Sequence, residues 1–257
     1  GFTPGTGTSM VSNNDTATIT GLTPKTDYDV YVRGICTVGD TSIYAGPLYI
    51  RTGCFSTLSG TYTLDPSSPA SLTNYITMAD WFQDLFDCGI GGPTVLNVAA
   101  GSGPYVMGID VSGINGLSSA NSVTMNGNGV TVNRGGNSSF LTFDGITHFT
   151  VNNFNFVNET PNTAMFGIMM RNACDSITIK NNTIDVGIGY TTSASCAVCA
   201  SNSLTSATSS GNNANNITID SNQIIGAYYG ISNYGTSSSN FSKGWKITNN
   251  NFENQYY

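Results

Sequence analysis

Six carboxylates lie in the larger part of the chain: Asp110, Asp144, Glu159, Asp175, Asp185 and Asp220. Glycosidic bond cleavage uses two such groups at a fixed separation, one as acid and one as base or nucleophile. Asp185 and Asp220 fall at different places in the local sequence pattern, so their spacing does not make them face each other. His148, in Gly145-Ile-Thr-His-Phe-Thr, is the single histidine, and its setting predicts a surface turn ahead of a strand. Zinc sites draw on several His and Cys ligands, so His148 alone is a poor candidate. Cys196-Ala-Val-Cys199 has the spacing of a dithiol redox motif or of half a zinc site. No second pair and no helical pattern follow it, which favours a structural disulfide or free thiols. Gly101-Ser-Gly103 lacks the lysine and the helix of a phosphate loop. No catalytic residue, metal ligand set or cofactor site is therefore expected.

The six cysteines are Cys36, Cys54, Cys88, Cys174, Cys196 and Cys199. An even count in a chain rich in Asn, Ser and Thr points to an oxidising compartment, hence to a secreted, extracellular or cell-surface location. Fifteen pairings are open, and sequence does not choose among them. Cys36 with Cys54 is the first candidate, because the two flank one short β segment. Cys196 with Cys199 is the second. Cys88 and Cys174 read equally well as buried thiols.

Charged residues make up only 9% of the 257, and the net charge is −7 with eight Lys plus Arg. A nucleic-acid partner would need basic residues to neutralise phosphates, and an anionic membrane surface would need the same. No apolar run reaches the length of a membrane span, and Gly1 does not open a signal peptide. Chains so poor in Lys and Glu seldom carry many solvent-facing helices. Thr, Val, Ile, Tyr and Phe suit strands, and Asn and Gly suit the turns between them.

The elements that would position any chemistry follow from this pattern. One helix stands out, at about 74–87, with Ile76, Ala79, Phe82, Leu85 and Phe86 on one face. Thr73 is its expected N-cap and Gly89 its stop. A buried strand follows at Thr94-Val-Leu-Asn-Val-Ala-Ala. The chain then repeats: Phe149-Thr-Val-Asn-Asn-Phe-Asn-Phe156, Ile177-Thr-Ile-Lys-Asn-Asn-Thr-Ile184, Ile217-Thr-Ile-Asp-Ser-Asn-Gln-Ile224 and Trp245-Lys-Ile-Thr-Asn-Asn-Asn-Phe252. The central apolar residues Val151, Ile179, Ile219 and Ile247 are spaced by 28, 40 and 28, and the wider gap predicts an inserted loop over Thr191 to Asn216. Asn182, Asn222 and Asn250 recur at the bend, where the first repeat has Phe154. A bend of this kind calls for left-handed backbone and a side-chain amide that bonds to the neighbouring coil, and Asn supplies both. Such a unit cannot bury its apolar residues alone. Stacking neighbours makes one core, the logic of a solenoid. Phe140–Gly145, Gly167–Asn172 and Gly230–Gly235 are the expected preceding faces of the same coils.

Residues 1–53 read differently. Thr16, Thr18 and Thr20 alternate with Ala17 and Ile19, Gly21-Leu-Thr-Pro24 is a turn, and Tyr28, Val30 and Val32 alternate again. This segment resembles the second half of a fibronectin type III sandwich. The Leu22, Pro24 and Tyr28 spacing matches that family's tyrosine corner, in which the tyrosine hydroxyl pins the loop before its strand. The early strands are missing, so the resemblance implies a fragment of a longer protein, or strands supplied by a neighbour.

The repeats of 54–257 resemble those of the pectate-lyase-like superfamily of right-handed parallel β-helices. Together with Leu58-Ser-Gly-Thr-Tyr-Thr, the helix and Cys88-Gly-Ile-Gly-Gly-Pro, they look like large secreted proteins of Bacteroidota exported by type IX secretion. The implied fold is all-β: a β-helix solenoid with an N-terminal capping helix, preceded by part of a type III sandwich. The polygalacturonase members' Asn-Thr-Asp, paired aspartates, Gly-His-Gly and Arg-Ile-Lys are absent, and neither Arg134 nor Arg171 lies beside the acidic cluster a lyase would use. Asp15-Thr-Ala and Asp175-Ser-Ile match a short O-glycosylation pattern of that phylum. The expected function is a non-catalytic segment of an adhesin, fibre or filament. Expected partners are neighbouring domains or copies of the same chain, homo-oligomers included, and surface glycans. The alternative is a β-helix that binds or degrades polysaccharide, with Tyr190, Tyr228, Tyr229, Tyr234 and Trp245 stacking on sugars. No C-terminal cap is evident at Asn254-Gln-Tyr-Tyr257, so the solenoid is expected to continue.

Overall fold

The computed structural model describes the chain except residues 1, 2, 5, 25, 38, 136, 137, 159–164 and 237–240. It divides into two compact units, Gly1–Ser56 and Thr57–Tyr257.

In the first unit, Asp27–Val32 pairs antiparallel with Ala45–Arg51, placing Tyr28 opposite Ile50 and Val30 opposite Leu48. Ile35–Thr37 pairs with Asp40–Thr41. The Tyr28 hydroxyl accepts a hydrogen bond from the backbone N–H of Thr23 at 2.8 Å, so the tyrosine does pin the loop before its strand. The expected strand through Thr16–Thr20 does not form. Its alternation is suited to a sheet, but among the described residues no strand pairs with it, and an unpaired strand gains no ladder hydrogen bonds.

The second unit is built almost wholly of parallel strands. A long sheet runs in the order Asn74–Tyr75, Leu58–Leu64, Ile90–Val98, Val123–Asn126, Thr147–Asn152, Cys174–Lys180, Thr218–Asp220, Lys246–Thr248, with Ala214–Asn215 also paired to Cys174–Lys180. A second sheet stacks Tyr105–Met107, Thr131–Arg134, Asn155–Val157, Thr183–Asp185, Gln223–Ile225 and Asn251–Glu253. A third stacks Ile109–Ser112, Ser139–Asp144, Phe166–Arg171, Cys196–Ala200 and Tyr229–Asn233. The chain visits the three sheets in rotation, an arrangement compatible with a parallel β-helix.

Register explains the core. Leu96, Met125, Val151, Ile179, Ile219 and Ile247 lie side by side across the long sheet. Leu96 through Ile219 are fully buried. Ile247, on the outermost strand, is 48% exposed because only one neighbouring strand flanks it. In the second sheet Tyr105, Val132, Phe156, Ile184, Ile224 and Phe252 form the matching column. Parallel strands about 4.8 Å apart bring like side chains into contact, so a one-residue slip would turn every column outward.

Two expectations need correction. The helix is Met78–Cys88, capped by Thr77, whose hydroxyl accepts from the N–H of Asp80. Asn74 and Tyr75 belong to the long sheet instead, because the Asn74 side-chain amide is committed to the carbonyls of Asp65, Ser68 and Pro69. The buried face is accordingly Met78, Trp81, Phe82 and Leu85, and Ile76 is exposed. The second correction concerns the wide gap between repeats. Cys196–Ala200 within it is a buried strand of the third sheet, in register with Phe166–Met170. Five consecutive apolar residues, Cys-Ala-Val-Cys-Ala, were the available signal.

Candidate functional site

At the corner from the long sheet to the second sheet, the left-handed residues are Asn153, Asn181, Ser221 and Asn249, with φ between 55° and 57°. Asn182, Asn222 and Asn250 come one residue later and are not left-handed, which corrects the role expected of them. The corner divides the work. Its first residue takes the strained conformation, and the second points its amide along the stack.

That amide is fully used. Asn182 Oδ1 accepts from the N–H of Phe154 at 2.9 Å, and its Nδ2 donates to the carbonyl of Val151 at 3.1 Å. Asn222 Oδ1 accepts from the N–H of Asn182 at 3.0 Å, and its Nδ2 donates to Ile179 O at 2.9 Å. Asn250 repeats both contacts on Asn222 N and Ile219 O. Asn182 and Asn222 are buried. Each satisfies backbone groups that a corner would otherwise leave unpaired in the core.

A second row was not seen in the sequence. Asn126 Nδ2 donates to Asn97 Oδ1, Asn152 Nδ2 to Asn126 Oδ1, and Asn181 Nδ2 to Asn152 Oδ1, all at 2.8–2.9 Å. Asn97, Asn126 and Asn152 are in register on the long sheet. The signal was the polar residue that ends each strand, masked because the fourth and fifth strands carry Lys180 and Asp220 there. Beside this row, Thr124, Thr150, Thr178 and Thr218 also align. They alternate with buried core residues and so form the outer face of the sheet.

The carboxylates are dispersed, each with its own donors. Asp144 lies 3.4 Å from Arg171 Nε and accepts from Asn172 Nδ2. Asp175 accepts from Ser176 Oγ at 2.6 Å and from Asn216 Nδ2. Asp185 accepts from the N–H of Gly187. Asp220 takes Thr248 Oγ1, Asn249 Nδ2 and Ser221 Oγ, and these bonds hold its carboxyl below the usual range. Asp110 is exposed on Ile109–Ser112, and Glu159 lies outside the described residues. Among the described residues no three His, Cys, Asp or Glu side chains converge as a metal site. His148 lies within the strand Thr147–Asn152 rather than in the expected turn ahead of it. It is partly buried at φ 52°, and its Nδ1 is buried without a hydrogen-bond partner.

The cysteines differ from both expected pairings. Cys54 and Cys88 form the disulfide. Cys36 is a free exposed thiol, so the Cys36–Cys54 pairing fails. Proximity in sequence to one hairpin did not bring those sulfurs together. Cys174, Cys196 and Cys199 are free and buried.

The aromatics also separate. Tyr190 is buried and accepts from Asn158 Nδ2, and the Trp245 indole donates to Ala214 O. Tyr228, Tyr229, Tyr256 and Tyr257 cluster, with Tyr228 and Tyr257 parallel at 5.8 Å and Tyr256 stacked on Tyr228 at 5.2 Å. Tyr234 is exposed. An open cleft of about 560 Å³ lies between Asp65, Ser68 and Asn74 on one side and Asn97 and Asn128 on the other. Its polar groups are already engaged: Asp65 accepts from Ser67 and Ser68 in its own loop, and Asn128 Nδ2 donates to Val98 O of a neighbouring strand. No helix among the described residues is long and apolar enough to cross a membrane. No family model, curated protein or solved structure matches the chain.

Proposed function

We propose that this chain is a non-catalytic structural segment of a large secreted cell-surface adhesin, fibre or filament protein. In this reading residues 57–257 form a right-handed parallel β-helix whose N-terminal end is plugged by the helix Met78–Cys88, and the two antiparallel strands around Tyr28 and Tyr49 are half of a fibronectin type III sandwich. The observation that carries the reading is the outer face of the long sheet. Its Thr124, Thr150, Thr178 and Thr218 column and its Asn97, Asn126 and Asn152 row make a regular polar surface. The amides of the row are spent on one another rather than presented to a reactant. Repeating polar rows suit a stiff rod that is soluble along its length, and its partners are neighbouring domains or further copies of the chain. The plug reading is supported by Trp81, Phe82 and Leu85, all buried in the core that the strands share. Covering the end of a sheet stack protects it from edge-to-edge association.

The test is to incubate the purified chain with a panel of acidic and neutral polysaccharides and measure new reducing ends and unsaturated products. A structural segment yields neither, and turnover that disappears on substitution of one of its carboxylates would overturn the reading. The second reading, glycan binding without cleavage, is favoured by the tyrosine cluster, in which Tyr256 and Tyr257 are 62% and 83% exposed. It predicts glycan-array binding that Tyr257→Ala abolishes.

A further inference from the structure

On the outer face of the third sheet, side chains three apart in sequence converge. In a regular strand, residues i and i+3 point to opposite faces. Here Ser139 Oγ and Thr142 Oγ1 lie 2.7 Å apart. The next strands repeat this geometry in register: Phe166 and Met169 stand beside Ser139 and Thr142, and Cys196 and Cys199 stand beside Phe166 and Met169. Phe166, Met169, Cys196 and Cys199 form one cluster with Ala207, all fully buried, with Tyr229 packed against it. The cluster is separate from the main core and lies under the segment that follows Ala200. That segment is held down by Ser232 Oγ, which donates to Ala207 O at 2.9 Å. The Cys199 thiol faces the same carbonyl at 3.6 Å. Two thiols and one thioether thus lie in one buried cluster with the Phe166 ring, and Tyr229 packs against it.

We propose that Cys196, Cys199 and Met169 bind a soft monovalent metal cation, Cu(I) in chemistry, with Ag(I) as its redox-inert probe. Thiolate and thioether sulfur select such ions over harder divalent ones. Cys196 and Cys199 are both fully buried, and an isolated charge is costly in such surroundings. A thiolate that enters together with a cation carries no net charge. The step is an exchange: the cation bonds to Cys199 Sγ, the thiol proton leaves to solvent, and Cys196 Sγ and Met169 Sδ donate lone pairs. The metal is neither oxidised nor reduced. Access requires the segment around Ala207 to lift, which breaks its bonds to Ser193 O, Ser201 Oγ and Ser232 Oγ.

The experiment titrates the anaerobic Cys36→Ser chain with Ag(I), reading bound metal by native mass spectrometry and protons released by a pH indicator. The Cys36→Ser background removes the one exposed free thiol among the described residues. One Ag(I) per chain and one proton per Ag(I) are expected. Cys199→Ser abolishes binding, Cys174→Ala retains it, and Met169→Leu, which conserves volume, weakens it by about tenfold or more. Circular dichroism confirms that each variant is folded. The proposal is overturned if the parent binds no Ag(I) or if Met169→Leu binds as tightly as the parent. A mass two hydrogens lighter than one disulfide explains, which marks a Cys196–Cys199 disulfide, also overturns it.

Discussion

Asn182 and Asn222 are joined twice: the backbone N–H of Asn182 donates to Asn222 Oδ1 at 3.0 Å, and the Asn182 side-chain amide reaches the same oxygen at 3.1 Å. One carboxamide oxygen thereby closes a backbone donor and a side-chain donor forty residues away in the chain. The same Asn222 amide donates to Ile179 O and to Asn250 Oδ1. The ladder is therefore a corner brace that links three successive passes and reaches back to Phe154 in the pass before them.

Removing the middle rung should cost more than removing the end one. Asn222→Ala leaves buried donors and acceptors unpaired on Asn182 and Ile179, a loss of about 3–4 kcal/mol from several bonds. Asn250→Ala removes the same kind of contact at a partly exposed position, where water substitutes, and should cost about 1–2 kcal/mol. Urea midpoints at constant slope read the difference. Equal losses at the two positions would contradict the buried-brace account.

The left-handed corner residue makes an opposite demand. Asn181 has φ 56° and its side chain joins the outer row at Asn152. Asn181→Gly should lie within about 0.5 kcal/mol of the parent, because glycine accepts the backbone and the lost bond is exposed. Asn181→Val should cost about 1–2 kcal/mol, because a β-branched residue is strained at positive φ. At Asn182, not left-handed, Gly should be at least as harmful as Val is at 181. Thermal melts of the three variants separate the two neighbouring roles.

These two positions also show what the sequence made legible. The recurrence of Asn182, Asn222 and Asn250 marks the stack and its register, because like residues in parallel strands stand side by side. It does not divide labour between Asn181 and Asn182, since either asparagine satisfies either rule in isolation. Val151, Ile179 and Ile219 were readable as one column for the same reason. The third sheet was harder. Phe166–Met170 and Cys196–Ala200 are buried on both faces, so period two disappears there, and Cys196–Ala200 was hidden inside a Ser/Thr-rich gap. The Cys54–Cys88 pairing was not readable at all, because disulfides follow distances in the fold rather than spacing in the chain. The outer Asn row was obscured once Lys180 and Asp220 broke it.

The helix face supplies a test of an unpaired group. Trp81 is fully buried beside Phe82, with ring centroids 5.0 Å apart, and its Nε1 has no hydrogen-bond partner. Trp81→Phe removes that orphaned donor while giving up some volume, so the two effects offset and stability should change by no more than about 1–2 kcal/mol. Trp81→Ala empties the site and should cost about 3–5 kcal/mol. Trp81→Phe should also remove the blue-shifted part of the fluorescence and leave the redder emission of the partly exposed Trp245.

The disulfide assignment predicts a peptide map and a stability change. Digestion without reductant should release the segments around Cys54 and Cys88 as one linked species, with Cys36 open to alkylation in the native chain. Reduction reopens a loop of about 35 residues, which in the chain-entropy treatment stabilises by about 3–4 kcal/mol. The urea midpoint should fall on mild reduction and be insensitive to reductant in Cys88→Ser. A linked Cys36–Cys54 species instead would overturn the assignment.

Acid should act on the outer surface through Asp220. Its carboxyl is held below its ordinary value first by Thr248, then by Asn249 and Ser221, with Lys246 adding attraction. A group whose pKa is lower folded than unfolded favours folding while it is ionised in both states. Its contribution is present above the unfolded value near 4 and is lost as pH falls through the lower folded value. Asp65 is lowered in the same direction by Ser67 and Ser68. Stability should therefore be level from pH 7 to about pH 5 in these two contributions and decline below about pH 4. Both groups are exposed, so the individual effects are small and shrink further with salt. Asp220→Asn keeps an acceptor for Thr248 but cannot titrate, so its urea midpoint should fall less steeply than the parent's between pH 5 and pH 2.5. An identical acid limb in the two proteins would place the acid sensitivity elsewhere in the chain.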